Sequence, residues 1–188
     1  LATLTLRPSA AGDLSGLYVF PADGIHWDKV DEATPDEDTT YVHRYGGGTG
    51  TDEDNYTLDN LAGAAAIANV QVVARVRKIA QFTGLAGTTL IGLGVRIGGT
   101  SYYANTATSN ESYFYLTRDY ALNPDTGVAW IQADINSLQS CLRLAFTNLA
   151  GAMGGLTSAR CTQLYIVVTY TPAIAAPTVQ TDPATEVS

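Results

Sequence analysis

Ten of the 18 acidic residues fall between Asp28 and Asp59, and they are the side chains with the clearest capacity for chemistry. They are Asp28, Asp31, Glu32, Asp36, Glu37, Asp38, Asp52, Glu53, Asp54 and Asp59. Calcium takes several carboxylate and carbonyl oxygens from a flexible loop. Asp52, Asp54 and Asp59 are the residues that would hold it here. The alternating ligands and glycine pivot of an EF-hand loop are missing, however. The competing expectation is a solvated acidic edge that binds no cofactor.

Aromatic side chains suggest a second chemistry. Tyr102, Tyr103, Tyr113 and Tyr115, with Trp27 and Trp130, would form a glycan-contact face if their rings shared one surface. Against this, tyrosine suits any half-buried sheet surface, with its ring packed and its hydroxyl wet. Trp130 opens the one helical stretch and is expected to anchor it in the core. His26 and His43 are the only histidines, and no partner for a zinc site or a catalytic triad is evident from spacing. His43 lies in a strand pattern beside Tyr41 and reads as a surface strand residue. Cys141 and Cys161 fit no metal spacing. Both fall on the polar phase of their strands and are expected to be unpaired, with a disulfide as the alternative. No Gly-x-Ser-x-Gly, His-Glu-x-x-His or phosphate-binding glycine loop is present, and no pair of carboxylates stands apart as a glycosidase pair. The chain is therefore expected not to be an enzyme.

Composition narrows the partners. Charged residues make up 15% of the 188, below the usual share of roughly 25%. The formal net charge is −8, and Lys29 and Lys78 are the only lysines. A chain without a basic stripe is not expected to track nucleic-acid phosphates or to be drawn to anionic membranes. No run of 18 apolar residues is present to span a bilayer. The opening Leu1 to Pro8 alternates apolar and polar residues and has neither the basic start nor the apolar stretch of a signal peptide.

The elements that must position these residues are strands. Period-2 alternation recurs at Leu4 and Leu6, at Leu17 and Val19, and around Tyr41 to His43. In the clearest strand, Val70, Val72, Ala74 and Val76 face the core while Gln71, Arg75 and Arg77 face out. Leu93, Val95 and Ile97 continue the pattern up to Gly98-Gly99, a hairpin signal because both glycines accept positive φ. Further strands are predicted over Tyr113 to Arg118, around Leu142 and Leu144, and at Leu164, Ile166, Val168 and Tyr170. One helix is predicted. It follows the turn Asn123 to Gly127, with Ile131, Ile135 and Leu138 on one face across about ten residues. Residues 46–63, with the Gly46-Gly47-Gly48 run and then Asp52-Glu53-Asp54, read as a long loop. The expected fold is all-β: an antiparallel β-sandwich of jelly-roll or Greek-key type with one short helix. It should occupy residues 1–171, followed by an extended proline-rich arm or linker over 172–188.

Several stretches together resemble a known group. They are Ala2 to Pro8; Val30-Asp31-Glu32 with Asp36 and Tyr41-Val42; and Val95 to Thr100 followed by Tyr102. Asn123-Pro124, Thr126-Gly127, Trp130, Asp134-Ile135 and Leu138 complete the set. The pattern, over about residues 2–170, is similar to β-sandwich structural proteins of tailed phages, prophages and uncultured microbes. Members of that group often carry Gly where Ser140-Cys141 follows the helix here. Ala176 to Thr185 resembles the lead-in to fibronectin-like repeats. The resemblance implies a non-enzymatic virion structural protein, a capsid decoration or tail- or fibre-associated subunit, located on the virion or outside cells. It would form homo-oligomers and contact other virion or assembly proteins. Thr3, Thr5 and Arg7 of the first strand and Pro172, Pro177, Val179 and Pro183 of the arm are the expected subunit contacts. The alternatives are a carbohydrate-binding or adhesin module that takes a surface glycan, and a subunit of a non-viral extracellular filament.

Overall fold

A computed structural model describes residues 1–44, 50–80, 89–148 and 156–174. Among the described residues there are eleven strands: β1 (Ala2–Leu6), β2 (Pro8–Ser15), β3 (Tyr18–Phe20), β4 (Tyr41–His43), β5 (Gly50–Leu58), β6 (Ala64–Ala80), β7 (Thr89–Ile97), β8 (Thr100–Thr108), β9 (Phe114–Tyr120), β10 (Gln139–Asn148) and β11 (Leu156–Pro172). Helix α1 spans Gln132–Ser137, and Trp27–Lys29 form a single 3-10 turn.

The strands pair antiparallel in two sheets. In the first, β9, β6 and β11 lie side by side. Both β1 and β4 share the far edge of β11, with β3 outside β4. The second runs β2, β5, β10, β7, β8. The two sheets join where β10 passes into β11, with Thr147 opposite Thr157. Counted from β4, strands one, eight, three and six make one sheet, and two, seven, four and five make the other. This is the order of two interlocked Greek keys, a jelly roll. The all-β sandwich expectation is met.

The core is the space between the sheets, and alternation fills it. Val70, Val72, Ala74 and Val76 of β6 and Leu164, Ile166 and Val168 of β11 are fully buried from one side. Ile91, Leu93, Val95, Leu142 and Leu144 meet them from the other. Each such Val or Leu contributes roughly 1.5–3 kcal/mol through burial. At Gly98-Gly99 both φ angles are positive, +55° and +85°, and Ile97 pairs with Thr100 across the turn. Gly94 on β7 has a different reason to be glycine. A Cβ there would overlap the Tyr102 carbonyl of β8, so the two strands approach only because the side chain is absent.

The helix is shorter than the sequence predicts. Ile131 precedes it and is 60% exposed, while Ile135 and Leu138 are buried. Asp134 stops Ile131 from joining the buried face by accepting the Ile131 N–H at 3.2 Å, which fixes the chain in an extended entry. Trp130 plugs the sandwich end as expected, its indole N–H donating to the Tyr120 carbonyl at 3.0 Å.

Two readings need larger correction. Half of the stretch taken as a loop, residues 46–63, is β5, an interior strand between β2 and β10. Its acidic residues hide an alternation in which Asp54, Tyr56 and Leu58 point inward. Residues 46–49 of that stretch lie outside the described residues. Cys161 lies in the core rather than on the polar phase, because a register shift between Cys161 and Gln163 places Thr162 as an extra residue. An inserted residue flips the side-chain phase on either side of it. Cys141 is on the outward phase as predicted but is covered, and both thiols are free.

Candidate interaction surface

The outer face of the β9-β6-β11 sheet carries a layer of arginines between tyrosine rings and acids. Alternation turns Arg75 and Arg77 of β6 outward, and the β11 register shift turns Arg160, Gln163 and Tyr165 the same way. Segment 31–40 lies across this face. Glu37 receives Arg75 Nη2 at 2.8 Å, and Asp38 receives Arg77 at 2.7 Å and Arg160 at 2.9 Å. Arg75 sits 4.9 Å from the Tyr115 ring centroid, Arg77 4.7 Å from Tyr113 and Arg160 4.1 Å from Tyr41. Such cation–π contacts add to the ion pairs and restrict the guanidinium groups. Glu37 has φ of +58°, an unusual conformation for a side-chain-bearing residue, held by its two hydrogen bonds from Arg75. The Tyr113 hydroxyl lies within hydrogen-bond distance of the Glu37 carbonyl and of Asp38, its one proton going to either, and burial with Asp38 nearby pushes its pKa up. Glu37 and Asp38 are therefore matched to specific cations rather than forming a solvated edge.

Beyond this layer the face becomes apolar. Cross-strand pairs Tyr18–His43 and Phe20–Tyr41 stack side by side, with the Phe20 and Tyr41 centroids 5.0 Å apart. Tyr18 and Phe20 are 54% and 46% exposed on β3, an edge strand. His43 is half-buried as part of this cluster, and burial together with the Arg160 charge lowers its pKa.

The four candidate glycan tyrosines do not share one face. Tyr102 and Tyr103 belong to β8 in one sheet, while Tyr113 and Tyr115 stand at β9 in the other. As neighbours, Tyr102 and Tyr103 point to opposite sides of their strand. Tyr102 packs against the core and donates to Asp125 at 2.6 Å, whereas Tyr103 lies under Arg143, 4.1 Å from its ring centroid. Trp27 is packed against the core and Trp130 is inside it. The exposed rings Tyr18 and Phe20 were not singled out by sequence, since a three-residue strand carries too little alternation to show its outer face.

The candidate calcium ligands are also separated in role. Asp52 pairs with Arg44 at 2.7 Å. Asp54 is fully buried, and its Oδ1 accepts the backbone N–H of Gly16 and of Leu17, both at 2.8 Å. Its Oδ2 accepts the Tyr56 hydroxyl at 2.9 Å and His26 Nδ1 at 2.7 Å, so this nitrogen of His26 carries the proton. Asp59 is exposed, and its backbone N–H donates to the Arg7 carbonyl. Among the described residues no group of three or more His, Cys, Asp or Glu side chains is placed to hold a metal. We expect EDTA to leave the melting temperature unchanged within about 1 °C, as for a protein whose folded state binds no ion. A drop reversed by added calcium would show that these acids do take it.

Of the expected subunit-contact residues, Thr3, Thr5, Arg7 and Pro172 lie among the described residues. Thr3 and Thr5 are exposed on β1, which pairs with β11 along one edge. Ala2 faces Tyr170, so the beginning of β1 lies beside the end of β11. Pro172 is the exposed last residue of β11, and the following Ala173 N–H donates to the Gly63 carbonyl at 2.7 Å. Arg7 is half-buried by comparison, its guanidinium donating to the Glu32 carbonyl at 2.6 Å and covering the Tyr165 ring on the outer face. Pro177, Val179 and Pro183 lie outside the described residues. No helix among the described residues is long and apolar enough to cross a membrane. The chain matches no known family model and no curated protein.

Proposed function

We propose that the protein is a non-enzymatic structural subunit of a virion, a capsid decoration or tail- or fibre-associated component that works through subunit contacts. The observation that carries this reading is the convergence of β1 and the start of the 172–188 segment at one edge of the sandwich. An exposed edge strand presents unpaired N–H and C=O groups, a ready template for a strand from another chain. The proline-rich composition of residues 172–188 lowers the entropy such a sequence loses when it docks on a neighbour. The jelly roll adds a rigid body with loops at both ends, and this fold recurs in capsid and lectin domains, an argument by analogy alone.

Removing residues 175–188 tests the reading, because β11 and its last hydrogen bond at Ala173 are kept. The shortened protein is expected to melt within about 2 °C of the parent, as when no domain contact is lost, yet to fail to enter the assembled particle. Incorporation at the parent's level would show the segment to be dispensable and would remove the main support for this reading. A carbohydrate-binding or adhesin role is the second reading, favoured by the exposed Tyr18 and Phe20 rings. Glycan retention lost in Phe20→Ala, with assembly intact, would select it instead.

A further inference from the structure

Glu32 and Asp36 differ from their acidic neighbours. Glu37 and Asp38 each have arginine partners, while these two are joined through a hydroxyl. Thr40 Oγ1 lies 2.7 Å from Glu32 Oε1 and 2.8 Å from Asp36 Oδ2. A threonine hydroxyl has one proton and can donate to only one of two carboxylates. The second contact needs a proton on one of the acids. Thr162 does not supply it, because its hydroxyl is shared between Asp36 Oδ1 at 2.9 Å and the Thr40 carbonyl at 3.0 Å. The other oxygen of Glu32, Oε2, is buried without a hydrogen-bond partner. That is costly for a carboxylate and much less so for a neutral acid.

We infer that segment 31–40 is a proton-dependent latch, closed while a single proton is held between Glu32, Thr40 and Asp36 and loosened when that proton leaves. With Glu32 protonated, its hydroxyl donates to Thr40, Thr40 donates to Asp36, and every close oxygen pair along that chain is filled. When the proton passes to water, two carboxylates face each other across one hydroxyl. Burial raises the Glu32 pKa from 4.5 to about 7, with Asp36 and Asp31 adding repulsion. Because the folded pKa lies above the ordinary value, the latch's contribution is fully present below 4.5 and is lost as pH rises through about 7.

The surroundings do not neutralise the new charge. Within the segment the facing groups are Asp31, whose pKa burial also raises, and Asp36. From β11 come the neutral Thr162 and Gln163, with the Cys161 thiol, pushed up to about 12 by burial, behind them. Arg7, after β1, gives its hydrogen bonds to the carbonyls of Asp31 and Glu32, and Arg75 of β6 is engaged by Glu37. Those carbonyl bonds and the Gln163 amide on the Glu32 carbonyl hold the backbone that the ionised acid would push away. Loosening therefore begins at residues 31–36, while the pairs of Glu37 and Asp38 hold the other end.

Two measurements on the full chain test this. The first follows the Glu32 carboxyl by carbon NMR against pH. The second records amide hydrogen exchange at about pH 5.5 and about pH 8.5, corrected for intrinsic rates. The Glu32 midpoint is expected at about 7. Protection in 31–36 should fall at least about tenfold at the higher pH while β6 and β11 amides hold. Glu32→Gln keeps a donor toward Thr40 without a charge and should abolish the pH effect. Asp36→Asn should move the Glu32 midpoint down toward 4.5, which keeps the test open if the glutamine variant folds poorly. A parent midpoint near 4.5, or a pH effect that survives in Glu32→Gln, would overturn the latch.

Discussion

Val72→Asp should remove most of the protein's stability. Val72 is fully buried in the middle of β6, with β11 on one side and β9 on the other. Its partners Ile166 and Arg118 are set by register, so the new carboxylate stays on the core face unless the whole strand slips. The core cluster around it is apolar, with Ile91, Leu93, Leu142 and Leu144 from the opposite sheet, while its cross-strand partner Arg118 is exposed and held over the Tyr120 ring. An unpaired charge in such a site costs several kcal/mol, out of a total of about 5–15 kcal/mol for a domain. Val72→Ala is the measured control and should cost roughly 1–3 kcal/mol through lost burial and a small cavity. Chemical denaturation reads both. If Val72→Asp unfolds at the parent's midpoint, the residue does not face the core.

Asp54→Ala is expected to cost about 3–5 kcal/mol, the scale for breaking a buried charged pair. The loss is large because Asp54 is shared by three parts of the chain. It ties the Gly16–Leu17 connection, which carries the chain from one sheet to the other, to β5 and to the His26 loop. Without it, the Leu17 amide and the Tyr56 hydroxyl are left as buried donors. The Tyr56 hydroxyl is not relieved by ionising, since burial, the largest cause of its raised pKa, remains when the Asp54 charge is removed. Asp59→Ala is the comparison, an exposed acid from the same run whose removal should change stability by less than about 0.5 kcal/mol. Equal effects from the two substitutions would mean that Asp54 is solvated rather than a buried tie.

The stability of the remaining acids is divided by partner rather than by position in the chain. Residues 36–38 are consecutive, yet Asp36 bonds to hydroxyls while Glu37 and Asp38 bond to different arginines. Exposed pairs of this kind contribute little singly, about 0–1 kcal/mol. Their effect is to fix where segment 31–40 lies on the sheet, which positions Glu32 beside Asp36.

Local pattern was enough for the strands whose two faces differ in polarity. Val70 to Val76, Leu93 with Val95, Leu142 with Leu144, and Leu164 to Val168 could be placed by alternation alone, because a pleated strand turns every second side chain inward. Gly98-Gly99 and the Asn123 to Gly127 turn were equally legible, since positive φ is a property of the residues that form them. Tertiary structure decided the rest, and for one physical reason: an acid, a thiol or a ring takes its role from partners distant in sequence. Asp54 could sit on an inward phase only because two amides, a tyrosine and a histidine from other segments converge on it. Cys161 entered the core because of one extra residue at Thr162, a shift that the sequence of β11 does not announce. Tyr102, Tyr103, Tyr113 and Tyr115 are close in the chain but were divided between two sheets by the turn of the jelly roll from β8 to β9. Glu32 and Asp36 became a pair only when β11 brought Thr162 against Asp36 and the Thr40 carbonyl, leaving the Thr40 hydroxyl between two carboxylates.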